Sequence, residues 1–234
     1  MIRYNSWPIG KLSKDMQRTE LYQIKELGYL WDDPRDVIEI FENKVAKFAG
    51  SRYAVSCDCC THGLFLVLKY FNGMKKITIP KHTYISVPML IEQAGYTYKF
   101  EDLEWSGEYQ LSPYLLYDSA VRWTKGMYLG GDSIQVISFQ IKKRIPIGRG
   151  GMILTNDKVI ADKLRLMSYD GRDLDTAYDN PNHIKCVGYH FYMTPEDAAR
   201  GILLMDKTSE INEDSGGWKN YPDLSQLPFF KGDL

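Results

Sequence analysis

The chain has 234 residues, 44% of them apolar, which is enough for one large domain with a substantial core and excludes a disordered or fibrous polypeptide. Lysine and arginine number 29 against 30 acidic residues, so no excess of basic charge argues for nucleic acid or an anionic membrane as partner. The opening "MIRYNSWPIGKL" lacks an apolar leader core and the greasiest stretch, "GLFLVLKYF", is too short to span a bilayer, so a cytoplasmic chain without membrane attachment is expected.

Taken in chain order, "PRDVIEIFENKVAKFAG" places Val37, Ile38, Phe41, Val45 and Phe48 on one helical face, starting with proline and stopping at glycine. Strand and helix signals then alternate: "YAVSC", "THGLFLVLKYF", "ITIP", "TYISVPMLIEQAG", "YTYKFED", "YLLYD", "IQVIS", "MILTND" and "KVIADKLRLMS". This alternation predicts an α/β fold, a three-layer sandwich in which helices cover a mainly parallel sheet. The polar stretch "GRDLDTAYDNPNHIKCV", 171 to 187, is long enough for a functional loop, and "TPEDAARGILLMDK" supplies a Thr-capped helix. From Thr208 the pattern fades, so the expected organisation is a domain over 1–207 followed by an extended tail over 208–234. Trp218, Tyr221, Phe229 and Phe230 are expected to anchor that tail.

Several polar residues fall where strands end or helices begin. Asp118 closes "YLLYD", Ser138 closes "IQVIS", Thr61 opens the helix after "YAVSC", and Thr83 and Tyr84 follow "ITIP". Lys142 and Lys143 come shortly after Ser138, and "GRGG" follows them. Ligands of open α/β sheets bind at such strand ends, where a lysine can anchor phosphate, act as an amine nucleophile or simply carry surface charge. Each residue also has an ordinary reading: Asp118 as a turn cap, Tyr84 as packing, the lysine pair as a solvated face. Together they offer a phosphate site at a helix N-terminus, a carboxylate for a ring nitrogen, an aromatic for a ring face and an amine for an aldehyde, which is the partner set of pyridoxal phosphate.

Competing chemistries fare worse. "GRGG" fits neither the dinucleotide nor the P-loop fingerprint and precedes a strand rather than opening a helix. The histidines His62, His82, His183 and His190 define no hydrolase arrangement. The "CDCC" cluster with a remote Cys186 suits a reducing compartment, lacks the paired spacing of a zinc site, and leads us to expect no metal.

At this point the sequence resembles the DegT/DnrJ/EryC/StrS family of pyridoxal-phosphate-dependent sugar aminotransferases, of fold type I. The likeness runs over residues 37 to 207 and is carried by "FENKVAKFAGSRYAVSCDCCTHGLFLVLKYF", "ITIPKHTYISVPMLIEQAGYTYKFEDL", "YDSA", "SFQIKKRIPIGRGGMILTND" and "GYHFYMTPEDAARGILLMDK". The resemblance implies that Lys143, five places after Ser138, is the Schiff-base lysine and proton carrier. It implies that Asp118 holds the ring nitrogen and Tyr84 stacks on the ring. Cys60, Thr61, Ser138 and Gln140 join the cofactor-binding set, and His190 reaches the phosphate of a partner subunit in a homodimer. The implied reaction moves an amino group from an amino acid, glutamate above all, onto a nucleotide-linked keto sugar. The alternative is a degenerate relative, one needing a partner chain, or a dehydratase. Against the family pattern, Cys59-Cys60-Thr61 stands for Ser-Gly-Thr, and Val121, Arg149, His190 and Tyr192 replace other residues. The pattern also implies that the tail takes the place of a smaller C-terminal domain.

Overall fold

The computed structural model describes residues 18–231. The opening stretch lies outside the described residues. Among the described residues seven strands and seven α-helices follow one another: α1 (Glu20–Glu26), α2 (Asp36–Ala49), β1 (Tyr53–Cys57), α3 (Cys60–Phe71), β2 (Ile77–Pro80), α4 (Ser86–Gln93), β3 (Tyr98–Glu101), β4 (Tyr109–Gln110), β5 (Leu116–Asp118), β6 (Ile134–Ser138), β7 (Gly151–Thr155), α5 (Lys158–Ser168), α6 (Pro195–Asp206) and α7 (Pro228–Lys231).

Local chemistry sets the helix boundaries. α2 carries Asp36 and Glu39 in its first turn and ends at Gly50, whose φ of 87° is a left-handed cap that a side chain would strain. Asp157 caps α5 by accepting from the amides of Val159 and Ile160, and Thr194 caps α6 by accepting from Asp197 with Pro195 at the first helical position. α3 starts one residue earlier than its threonine suggests, because the Cys59 sulfur accepts the amide of His62 and makes Cys59 the N-cap.

The five-stranded sheet has the order β1-β7-β6-β5-β4, with β2 and β3 forming a parallel pair. The sheet is mixed rather than mainly parallel: β5 and β6 pair parallel, whereas β1–β7, β6–β7 and β4–β5 are antiparallel. An antiparallel bridge between Thr78 and Ser112 joins the β2–β3 pair to the chain leaving β4. Strand alternation feeds two cores, one on each face. Val55, Val136 and Ile153 belong to the cluster with α3, α4 and α5, and Ala54, Ile137, Met152 and Leu154 to the cluster with α1, α2 and α6. The three-layer α/β expectation holds on this count. On α2, Val37, Phe41 and Val45 are fully buried while Ile38 and Phe48 pack at the margin.

The sequence past α6 is more ordered than its composition suggests, with 3₁₀ turns at Trp218–Asn220 and Leu224–Gln226 before α7. The Trp218 amide donates to the Trp105 carbonyl (3.0 Å) and the Leu224 amide to that of Lys81 (2.9 Å), and Leu224 is fully buried. Tyr221 stacks on Trp105 with ring centroids 5.7 Å apart, and Phe230 meets Phe100 at 5.8 Å. Phe229 departs from the expected anchoring, being 54% exposed with Phe230 as its ring partner.

Candidate active site

The register explains why the polar strand ends converge. Gly151, the first residue of β7, lies opposite Cys57 at the end of β1 and opposite Ser138 at the end of β6. Asp118 ends the neighbouring β5, opposite Val136. The turn into α3 and the residues after β2 open onto the same rim. A cavity of about 470 Å³ lies there, of the size small-molecule sites take. Its wall includes Cys60, Thr61, Tyr84, Asp118, Ser138, Gln140 and Lys143, so seven of the eight site residues expected from the sequence come together. Lys142 lines the wall as well.

His190 is the exception. It borders a neighbouring hollow of about 280 Å³ with Asp58, Tyr192 and Thr194, and its Nδ1 is paired with Asp170 at 3.0 Å. Arg149 edges both hollows, its guanidinium held by Asp58 at 2.7 Å. The polar loop 171 to 187 reaches neither hollow; it is folded on itself through the Arg172–Ile184 bridge.

Asp118 is 6% exposed. Its Oδ1 accepts the Ala120 amide (3.0 Å) and its Oδ2 the Tyr109 hydroxyl (2.8 Å), while the Cys60 thiol approaches Oδ1 at 3.9 Å. Tyr109 in turn meets the Thr83 hydroxyl at 2.5 Å. Burial raises the Asp118 carboxyl above its ordinary range, against the opposing pull of Tyr109, Ala120 and Lys143. Burial likewise pushes the Cys60 thiol well up, with the Asp118 charge adding to it, so the sulfur is a neutral group beside the carboxylate and not a thiolate nucleophile. Among the wall residues the charged side chains are Asp118 against Lys142, Lys143 and Arg149, a balance that favours an anionic ligand.

The turn into α3 is tightly seated. A Cβ placed on Gly151 would sit 2.6 Å from both the Cys59 carbonyl carbon and the Cys60 nitrogen, so only glycine lets β7 approach this backbone. Beside it Thr61 and Ser86 share a hydrogen bond of 2.8 Å. These features fit pyridoxal phosphate: a helix N-terminus with hydroxyls for the phosphate, a ring-sized gap walled by aromatic Tyr84, a buried carboxylate and a lysine amine. Next to the cavity, donor atoms of Asp58, Cys59 and His62 lie within 4.8 Å of one another. Two of these groups are engaged with each other, since His62 Nδ1 meets Asp58 at 2.6 Å, and Arg149 holds the other oxygen.

Sequence reading missed Ser86, Trp105, Tyr109, Asn220 and Tyr221 as wall residues. Ser86 had a usable signal, standing three residues past Thr83 at the start of a helix. Tyr109 had none, because it reaches Asp118 only through the β4–β5 register.

The chain is 26% identical to the spore coat polysaccharide biosynthesis protein SpsC of Bacillus subtilis, over 83% of this chain and 62% of that protein. That alignment runs over 246 positions, so parts of the relative face gaps in the 234-residue chain. GDP-perosamine synthase of Caulobacter vibrioides is also 26% identical, over 75% of this chain and 58% of that protein. The chain thus spans about three fifths of the length of these curated relatives. Among solved structures, PseC of Helicobacter pylori, an aminotransferase involved in the biosynthesis of pseudoaminic acid, matches with a TM-score of 0.65 at 17% identity, over 82% of this chain and 63% of that one. At that identity the likeness carries the fold, that of the pyridoxal-phosphate-dependent aminotransferases of fold type I. Residues 30–116 and 123–216 match the model of one family, with Asp118 in the short interval between the two stretches. The chain belongs to the DegT/DnrJ/EryC1/StrS aminotransferase family.

Proposed function

We propose that the cavity binds pyridoxal phosphate and that the protein moves an amino group from an amino acid, glutamate in the simplest case, onto a keto group of a nucleotide-linked sugar. The observation that carries the reading is the convergence of Lys143, Asp118, Tyr84, Ser138 and the first turn of α3 on one wall. The reading is supported by the relatives, of which one is a GDP-perosamine synthase and another an aminotransferase involved in the biosynthesis of pseudoaminic acid.

When bound, the cofactor supplies an aldehyde that exchanges amines and a pyridine ring that draws electron density from the substrate carbon. Lys143 is the amine that the aldehyde engages and, when free, the base that moves a proton at the reacting carbon. Asp118 holds the proton on the ring nitrogen; a carboxylate that burial disfavours gains most from such a cationic partner. Cys60 and Thr61 hold phosphate through the backbone at the α3 N-terminus, and Ser138 and Gln140 add side-chain donors from the end of β6. Tyr84, 58% exposed, covers the ring and shields it from water. Lysine at position 143 favours transamination over the dehydratase alternative, because the resemblance assigns histidine there to dehydratases. A homodimer belongs to this reading, with His190 serving the partner's phosphate site from its place outside the chain's own cavity.

The test is reductive trapping. Borohydride treatment of protein saturated with pyridoxal phosphate should place a stable adduct on the peptide at Lys143. Lys143→Ala should lose it while Lys142→Ala keeps it. An adduct on Lys142, or none in saturated protein, would sink the assignment.

A further inference from the structure

The family match ends at residue 216, yet the chain beyond it builds part of the cavity wall through Asn220 and Tyr221. This run is fixed on both sides. The Trp218 amide is bonded to Trp105, Leu224 is buried with its amide on Lys81, and His82 Nδ1 meets the Tyr221 carbonyl at 2.9 Å. Upstream, Ser215 is bonded to the Val121 carbonyl, and Asp214 takes two bonds of 3.0 Å from Arg122.

The two wall residues differ in what they have left to offer. Asn220 spends its carbonyl oxygen on the Gly217 amide (2.8 Å). The Tyr221 ring is packed on Trp105, but among the described residues its hydroxyl has no hydrogen-bond partner. Burial pushes this phenol up to about 12, and the charges of Asp118, Cys60 and Tyr84 add to the shift. Those three line the same cavity as Tyr221 and its ring partner Trp105. The group therefore stays protonated at physiological pH. It is a donor on a rigid ring, and a ligand oxygen in the cavity is the acceptor within its setting.

We propose that Tyr221 is a cofactor-binding residue, donating a hydrogen bond from the chain's C-terminal segment to an oxygen of pyridoxal phosphate held between Tyr84 and Asp118. The inference rests on reading the cavity as a site for that cofactor. It assigns to the segment past the family match a part in the binding site, beyond covering apolar surface.

Titration of the apo protein with pyridoxal phosphate, followed by absorbance, tests both layers. Tyr221→Phe keeps the ring on Trp105 and removes the donor alone, so affinity should fall about five- to tenfold, the value of one hydrogen bond, and the visible band of the bound cofactor should shift. Tyr221→Leu also removes the ring and should weaken binding further. The apo melting temperature of Tyr221→Phe should match wild type, whereas Phe230→Leu, altered on the Phe100 side, should melt earlier and bind with wild-type affinity. A Tyr221→Phe protein with wild-type affinity and spectrum overturns the Tyr221 assignment and leaves the cofactor reading standing. A wild-type protein that takes up no pyridoxal phosphate overturns both.

Discussion

Gly151→Ala tests the geometry on which the site depends. The added methyl carbon meets backbone on one side, at 2.6 Å from the Cys59 carbonyl carbon and the Cys60 nitrogen and 2.8 Å from the Cys59 oxygen, whereas ordinary contact begins at 3.4 Å. Strand and turn must separate by roughly 0.8 Å, because neither obstacle is a flexible side chain that can swing away. The strand has little freedom to yield: Gly151 is held in register with Cys57 on one side and Ser138 on the other. Overpacking of this kind costs about 1–3 kcal/mol, and the backbone obstacles put the expected loss near the upper end. Urea unfolding should show a midpoint lowered by about 1 M at unchanged slope. The moved turn is the one proposed to hold phosphate, and displacements on the order of 1 Å cost about a hundredfold where groups must be aligned. Affinity for pyridoxal phosphate should therefore fall well beyond the stability loss. Met152→Ala is the control: Met152 faces the opposite core, so the variant should lose about 2–5 kcal/mol through its cavity and bind cofactor normally wherever it remains folded. A Gly151→Ala protein with wild-type midpoint and affinity would refute the seating of α3 on β7.

Three further outcomes follow from the electrostatics. The Asp118 carboxyl is raised in the fold, so its favourable contribution is complete below the unfolded value near 3.9 and is lost as pH rises through the folded one; at pH 7, Asp118→Asn should melt no earlier than wild type as apo protein and yet lose cofactor-dependent exchange with glutamate, and an earlier melt would show that the carboxylate is a stabilising cap. Burial alone lowers His62, but its bonds to Asp58 and Cys59 outweigh that and bring it to about 9; its stabilisation is full below pH 6.5 and lost through pH 9, about 1 kcal/mol for a ring this accessible, so the melting gap between wild type and His62→Gln should close by pH 10, and a pH-independent gap would contradict it. His190→Ala should weaken pyridoxal phosphate binding in the proposed homodimer while leaving cofactor affinity of dilute, dissociated protein unchanged; equal affinity at all protein concentrations would remove His190 from the proposed site.

What the sequence made legible was the chemistry of strand ends. Asp118, Ser138 and Thr61 each stop an apolar run with a polar side chain, and one edge of the sheet gathers these stops because β1, β5 and β6 all run the same way, β7 being antiparallel to both β1 and β6. Directions themselves were not legible, because a period of two is the same for parallel and antiparallel neighbours. β6 and β7 are joined by the twelve residues from Phe139 to Gly150, a connection that carries no helix and so turns the chain back antiparallel. Tyr109 stayed hidden for a related reason: a two-residue strand has no periodicity to read. The wall contribution of Tyr221 was out of reach as well, since composition can suggest that an aromatic anchors a tail but not which face of the domain receives it. The expected anchoring by Phe229 failed on the same ignorance of direction within one helical turn.

The environment of Asp118 also separates the two readings that its position in the sequence leaves open. A turn cap needs one oxygen on a nearby amide, and Oδ1 on Ala120 meets that need. Capping alone gives no reason for the rest: the residue is buried at the cavity wall, and Oδ2 takes a phenol from Tyr109 that is itself anchored on Thr83. Neutral donors of this kind hold the carboxylate in place without cancelling the cost of its charge, which is why burial still dominates its titration. Lys143 offsets part of that cost through the field it exerts across the cavity. If its amine is tied up by an aldehyde, that contribution weakens, and a protonated ring nitrogen is the group of opposite charge that the proposed ligand itself brings. The same ligand that occupies the lysine thus relieves the aspartate, so cofactor binding and ring protonation should be thermodynamically coupled. In Asp118→Asn that coupling is gone, and the pH dependence of pyridoxal phosphate affinity between pH 6 and 9 should flatten relative to wild type. Parallel profiles for the two proteins would show that Asp118 acts as a cap and nothing more.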